Sequence, residues 1–198
     1  MKKAILAAAM VMAMGSTSAM AADAEGGQLN FHGLVSATTC SKVVSTSRGD
    51  ESTDGNIYLE TATPADITTE VADATYGAKA EPFSIVLNCK DASGVTGGTT
   101  VAKLSMVSSF GNTKGTLDND TNLTAAGMAA AKNVNIAIHD ADTKTLMKVD
   151  GADVHEATFD ASQVATYNFV ASYVKANGID DVTPGHVTTN AMYTFTYQ

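Results

Sequence analysis

The chain is predicted to be all-β, a sandwich or a barrel, and two observations carry that prediction. Apolar and aromatic residues alternate with polar ones over short stretches, which is the period of a strand with one face buried. Between these stretches lie turn formers: Gly94, Gly97-Gly98, Gly111-Asn112, Asp118-Asn119-Asp120, Asp150-Gly151 and Pro184-Gly185. Many short strands separated in this way belong to the all-β classes.

Taken in order, residues 29–35 put Leu29, Phe31 and Val35 on one parity, with Gly33 between the last two. An apolar stripe on an extended segment has nothing to bury itself against alone. Ile57, Tyr58 and Leu59 make a short strand. Residues 83–89 (FSIVLNC) set Phe83, Ile85, Leu87 and Cys89 on one side. Residues 101–107 follow, and residues 133–139 place Val134, Ile136 and Ile138 on one face. Residues 146–149, 164–174 and 191–197 complete the set. In the last of these, Tyr193, Phe195 and Tyr197 share one face, and Thr194 and Thr196 the other. The sequence stops one residue later. A strand there must pair on its flanks or expose bare N–H and C=O groups, so its partner is the functional question. Two stretches, 64–74 and the alanine-rich 124–132, are read as a short helix or an irregular connection. No repeat of solenoid period is present.

The start of the chain is a targeting segment. Lys2 and Lys3 precede an apolar run, residues 4–14, that is too short to span a bilayer. Ala19-Met20-Ala21 supplies an A-x-A cleavage site, so residues 1–21 are expected to be a secretory signal peptide. Removing 21 residues from 198 leaves 177, residues 22–198, a length that fits one domain. No later stretch is apolar enough for a membrane span. The formal charge of −9 becomes −11 once Lys2 and Lys3 are gone. Such a chain repels nucleic acid and anionic membrane surfaces. Cys40 and Cys89 are the two cysteines. In an exported protein the expected state is one disulfide, the other reading being two buried thiols. The bond would close a loop of about 50 residues, worth on the order of 4 kcal/mol in the chain-entropy model.

Chemistry-bearing patterns are weak. His32, His139, His155 and His186 show no metal-ligand spacing and no accompanying Cys or Glu cluster, so no metal or other cofactor is expected. The groups around Asp118–Asp120 and Asp140–Asp142 lack the glycine and distal glutamate of a calcium loop, and turn chemistry accounts for them. No G-x-S-x-G and no Ser/His/Asp order stands out, so an enzyme is not expected and no catalytic residue is nominated. The aromatic face of residues 191–197 suits core packing better than glycan stacking.

Four places together resemble the major-subunit type of chaperone–usher fimbriae, the type 1 pilin family. They are the arm and cysteine of residues 27–40 (GQLNFHGLVSATTC), the strand FSIVLNC, the segment NVNIAIHDADTKTLMKVDG, and the end of the chain. There Tyr197 is penultimate and Gly185 is fourteenth from the end. The resemblance covers the 177 residues after the signal peptide.

That resemblance implies an immunoglobulin-like sandwich lacking its last strand and completed by a donor strand. The acceptor groove would lie beside residues 191–197, with Gly185, Tyr193, Phe195 and Tyr197 as its groove and chaperone-binding residues. The donor arm would be residues 22–33, with Leu29 and Phe31 as plugs and Gly27 and Gly33 at shallow positions; residues 34–198 would form the sandwich. Implied partners are a periplasmic chaperone that lends a strand, an outer-membrane usher, and neighbouring subunits whose arms replace the chaperone strand. The implied function is a structural subunit of an adhesive surface filament, exported through the periplasm. The alternative is a minor tip or adaptor subunit with receptor-binding loops. One departure concerns register: Asp23 and Glu25 share parity with Leu29 and Phe31. Burying those carboxylates would cost several kcal/mol, so the inserted part is expected to begin near Gly27.

Overall fold

The computed structural model describes residues 40–48, 51–122 and 128–197. The donor-arm residues Gly27, Leu29, Phe31 and Gly33, and the signal peptide, lie outside the described residues. Eight strands follow one another: β1 (Ser41–Thr46), β2 (Ala78–Asn88), β3 (Val101–Val107), β4 (Leu117–Asp118), β5 (Val134–Asp140), β6 (Asp150–Thr158), β7 (Val164–Lys175) and β8 (Met192–Tyr197). No helix occurs among the described residues. The strands form two sheets, one ordered β1-β2-β7-β5-β4 and the other β6-β3-β8, and the paired strands are antiparallel throughout.

The core between the sheets follows from the period-2 pattern. The five-stranded sheet turns Phe83, Ile85, Leu87, Ile136, Ile138, Tyr167 and Phe169 inward, and the other turns in Ala102, Leu104 and Met106. Phe83 and Phe169 sit opposite each other on β2 and β7, with ring centroids 5.5 Å apart. Fully burying a side chain of this size contributes about 1.5–3 kcal/mol. The outward face of the three-stranded sheet mixes polar pairs with the exposed Val107, Val154 and Met192. Lys103 pairs with Glu156 at 2.7 Å, and the Ser105 and Thr194 hydroxyls meet at 2.9 Å. Among the described residues a polar contact joins the sheets: His155 Nδ1 on β6 lies 3.1 Å from Asp140 Oδ2 on β5.

β5 and the middle of β7 are buried on both faces. Beyond Ile136 and Ile138, the opposite parity of β5 also disappears: Ala137 packs with Leu146 and Val174 under Val71. Asn135 is satisfied there by Thr116 Oγ1 and Asp118 Oδ1 at 3.1 and 3.0 Å. Residues 64–74 are irregular, with a turn at Pro64–Asp66, so their short-helix reading does not hold.

Three further expectations are corrected. Ile57-Tyr58-Leu59 belongs to no ladder, although Ile57 and Leu59 do pack half-buried on the core. Residues 146–149 make a single bridge, His139 with Leu146, instead of a strand. Met147 and Val149, beyond that bridge, are buried in the core. A strand absent from the sequence reading, β6, occupies Asp150–Thr158 instead, its inward positions being only Asp153, His155 and Ala157. β6 is an edge strand whose conformation is supplied by pairing with β3, so it carries little periodic signal of its own.

Candidate functional site

β8 has one neighbour. Among the described residues it pairs with β3 alone, in the register Ala102↔Tyr197, Leu104↔Phe195 and Met106↔Tyr193. These pairs share one face of one sheet, yet their burial differs. Ala102, Leu104 and Met106 are 0, 0 and 3% exposed, whereas Tyr193, Phe195 and Tyr197 are only half-buried. The difference lies in what stands on the far side of β8. β3 is flanked by β6 and β8, while on its outer edge β8 has no second strand beside it among the described residues. Its N–H and C=O groups on that edge have no ladder among the described residues.

The opposite wall of the opening is β1, which the sequence reading did not identify. It lies immediately after Cys40 and has one fully buried side chain, Val44, too few for a periodic signal. β1 pairs with β2 on one edge and faces β8 on the other. Lys42 Nζ sits 5.0 Å above the Tyr193 ring, which fixes the two strands across the gap from each other. The floor is aromatic. Phe195 packs on Tyr167 at 5.7 Å and on Tyr193 at 5.6 Å, and Tyr197 meets Phe159 edge-on at 6.4 Å. Burial holds the Tyr167 phenol well above its ordinary range, with Glu156 adding to the effect, and its hydroxyl finds no hydrogen-bond partner among the described residues. Burial, then the nearby Asp54, raises the Tyr193 phenol, so Tyr193 stays a protonated donor. The opening is therefore apolar below; among the described residues its β8 rim carries no second ladder, and its β1 rim is bridged at Val44 by Ser52.

The Cys40–Cys89 disulfide is formed, with the α-carbons 4.3 Å apart. It joins the residue before β1 to the residue after β2, next to the pair Ser41↔Asn88. It thus fastens the β1 wall to the sheet at one end, and Cys89 is fully buried.

Gly185, read from the sequence both as a turn former and as a groove residue, lies in the connection between β7 and β8, seven residues before Met192, and not on the strand. A Cβ there would overlap the backbone of residues 129–131. The next residue, His186, accepts from Ala131 N at 2.9 Å and donates to Ala129 O at 3.1 Å. Gly185 permits this close approach of two backbones, which fixes where the chain enters β8. Gly185→Ala is accordingly expected to cost about 1–3 kcal/mol, the usual range for overpacking. Urea unfolding of the purified subunit measures it, and a midpoint equal to wild type would contradict the packing account.

The remaining candidates have structural partners. His139 is fully buried, its Nε2 3.1 Å from Ala72 O, with Tyr76 edge-on. His186 Nδ1 is 3.1 Å from Met128 O. Among the described residues no three His, Cys, Asp or Glu side chains gather as a metal site would need. Asp140 accepts from Asp142 N, Thr143 N and Thr143 Oγ1, and Asn119 ties residue 131 to the β7–β8 connection, donating to Ala131 O and His186 O and accepting from Thr188 N. Both are turn and loop chemistry. No helix among the described residues is long and apolar enough to cross a membrane.

A model of the fimbrial protein family matches residues 29–198. Among solved structures, the chain is similar to a chaperone–usher pilus subunit whose structure bears on rod uncoiling. That match has 20% identity, covers 88% of this chain and 96% of that one, and has a TM-score of 0.55. It is also similar to the P pilus rod subunit PapA, at 20% identity, 78% and 99% coverage and a TM-score of 0.53. A weaker likeness is to the CupB6 tip adhesin from Pseudomonas aeruginosa, at 15% identity and a TM-score of 0.45. There the match takes in 60% of this chain and spans 31% of the adhesin's length. No curated protein matches the sequence.

Proposed function

This chain belongs to the fimbrial protein family, and from that premise we propose that it is a shaft-building subunit of a chaperone–usher filament, polymerising by donor-strand exchange. The observation that carries the reading is the contrast between β3 and β8. The inward residues of β3 are sealed, and Tyr193 and Phe195 of β8 are only half-buried beside an edge that has no ladder among the described residues. A strand laid between β1 and β8 would satisfy that edge and cover Tyr193, Phe195 and Tyr197. A periplasmic chaperone supplies such a strand first, and the arm of the next subunit, residues 22–33, replaces it. Leu29 and Phe31 are then the buried plugs.

A contact from the arm of one subunit to the opening of another is heterologous. It makes an open filament whenever successive rotations do not close a ring. The work of the protein is assembly, and the geometry asks for no catalysis. Export through the periplasm, assembly at an outer-membrane usher and display at the cell surface follow from the same reading.

Shaft and tip roles differ in abundance, and the filament itself reports it. Heat-dissociated surface filaments are expected to yield this chain, starting at Ala22, as the dominant component by mass spectrometry. Immunogold labelling confined to filament ends would instead assign the adaptor role.

A further inference from the structure

Residues 51–60 run along the β1 edge that faces β8. Val44 and Ser52 exchange both backbone hydrogen bonds, at 2.7 and 3.2 Å. The next residue, Thr53, accepts a hydrogen bond from the Tyr193 hydroxyl at 2.8 Å, which carries the segment across to β8. Gly55 presses on Val44 so closely that an added Cβ would overlap Val44 Cβ and Cγ1. Beyond it, Ile57 and Leu59 pack half-buried on the sandwich core, while Tyr58 between them points outward at 60% exposure. The far end is anchored. Glu60 pairs with Arg48, whose Nε donates to the buried Glu81 at 2.9 Å.

This segment does locally what an added strand would do. It satisfies the outer N–H and C=O of Val44, grips a β8 aromatic and buries alternate apolar side chains. Its pattern Gly55-x-Ile57-x-Leu59 repeats that of the arm, Gly27-x-Leu29-x-Phe31, with a glycine two residues before the first of two alternating plugs. We infer that residues 51–60 are an internal cover, occupying part of the β1–β8 opening in the free subunit and giving way when a donor strand enters. This rests on the donor-strand reading above.

The cover has two physical consequences. It reduces the bare edge and apolar surface that would otherwise invite indiscriminate pairing. It also competes with the donor, because a site open only a fraction of the time binds with its affinity reduced by that fraction. On entry of a donor, Val44 exchanges Ser52 for the incoming backbone, and the Tyr193 hydroxyl releases Thr53.

The test is hydrogen exchange on the monomeric mature chain, with and without an excess of a synthetic peptide of residues 27–35. The cover predicts that β8 amides slow while amides of residues 52–59 exchange about tenfold faster, as a displaced segment must. If β8 slows and residues 52–59 stay as protected as before, the cover is overturned and the donor-strand reading survives. If β8 does not slow, the donor-strand reading fails and takes the cover with it. Gly55→Ala adds a kinetic arm, since its Cβ would push the cover off Val44. It is expected to take up the peptide several-fold faster than wild type, and slower uptake would also overturn the inference.

Discussion

Deletion of residues 22–33 is expected to abolish filament growth from the truncated chain while leaving its capture by the chaperone intact. The asymmetry follows from where the two halves of the contact lie. The opening is built by β1, β3 and β8, and none of their residues is touched by the deletion. What is lost is the donor: Leu29 and Phe31, each contributing about 1.5–3 kcal/mol when fully buried, and the ladder their backbone would make along β8. A subunit without an arm can accept but cannot donate. Coexpressed with wild type, it should therefore enter a filament at one end only, where no preceding subunit has to be engaged. A shorter deletion, residues 22–26, removes Asp23 and Glu25 but keeps Gly27, Leu29 and Phe31. It should leave assembly unchanged, because carboxylates in that register would bury charge at a cost of several kcal/mol. Electron microscopy of cells expressing each variant gives the result. Filaments built from the longer deletion alone would contradict the account.

Replacing both Cys40 and Cys89 by serine is expected to lower stability by about 4 kcal/mol, the chain-entropy value for a loop of this length. The bond spans 49 residues of sequence. A loss of that size is a large fraction of the ~5–15 kcal/mol that holds a typical domain together. For a chain of this size it corresponds to a fall in the melting temperature on the order of 10 °C. The place of the bond matters as much as its magnitude. β1 is an edge strand with one fully buried side chain, Val44, and the disulfide fastens its first end to the end of β2. Losing the bond should fray β1 first and with it one wall of the opening. The double variant is therefore expected to bind the residue 27–35 peptide more weakly even below its melting temperature. Calorimetry and peptide titration measure the two effects. A melting temperature within two or so degrees of wild type would contradict the first.

How far the sequence reveals this architecture depends on how each element earns its conformation. β3, β7 and β8 were legible to within a residue or two because their alternation is strong and faces the core. β5 was legible in position but only half so in environment. Its alternation marked Val134, Ile136 and Ile138, and the burial of Asn135 against Thr116 and Asp118, and of Ala137 and His139 against Val71, Ala72 and Leu146, comes from tertiary packing. β1 and β6 were missed for a common reason. Both are edge strands with few apolar inward residues, Val44 alone being buried in β1, and are held by their neighbours more than by their own pattern. The segment around Ile57 shows the reverse case. Its alternation is real and its burial real, but a covering segment with a single bridge to β1 carries the same period as a strand. At the site, the aromatic face of β8 was readable from alternation alone. The role of Gly185 was not, since a glycine that admits a neighbouring backbone looks in sequence like any turn glycine.

The central claim is that the open edge of β8 is filled by the arm of another copy of this chain. A helical reconstruction of the native filament by electron cryomicroscopy, at side-chain resolution, tests it most directly. The account predicts residues 27–33 of one subunit as a strand along β8 of its neighbour, between β8 and β1, with Leu29 and Phe31 turned into the aromatic floor. A filament in which that edge stays empty, or is paired by residues of the same subunit, would contradict it.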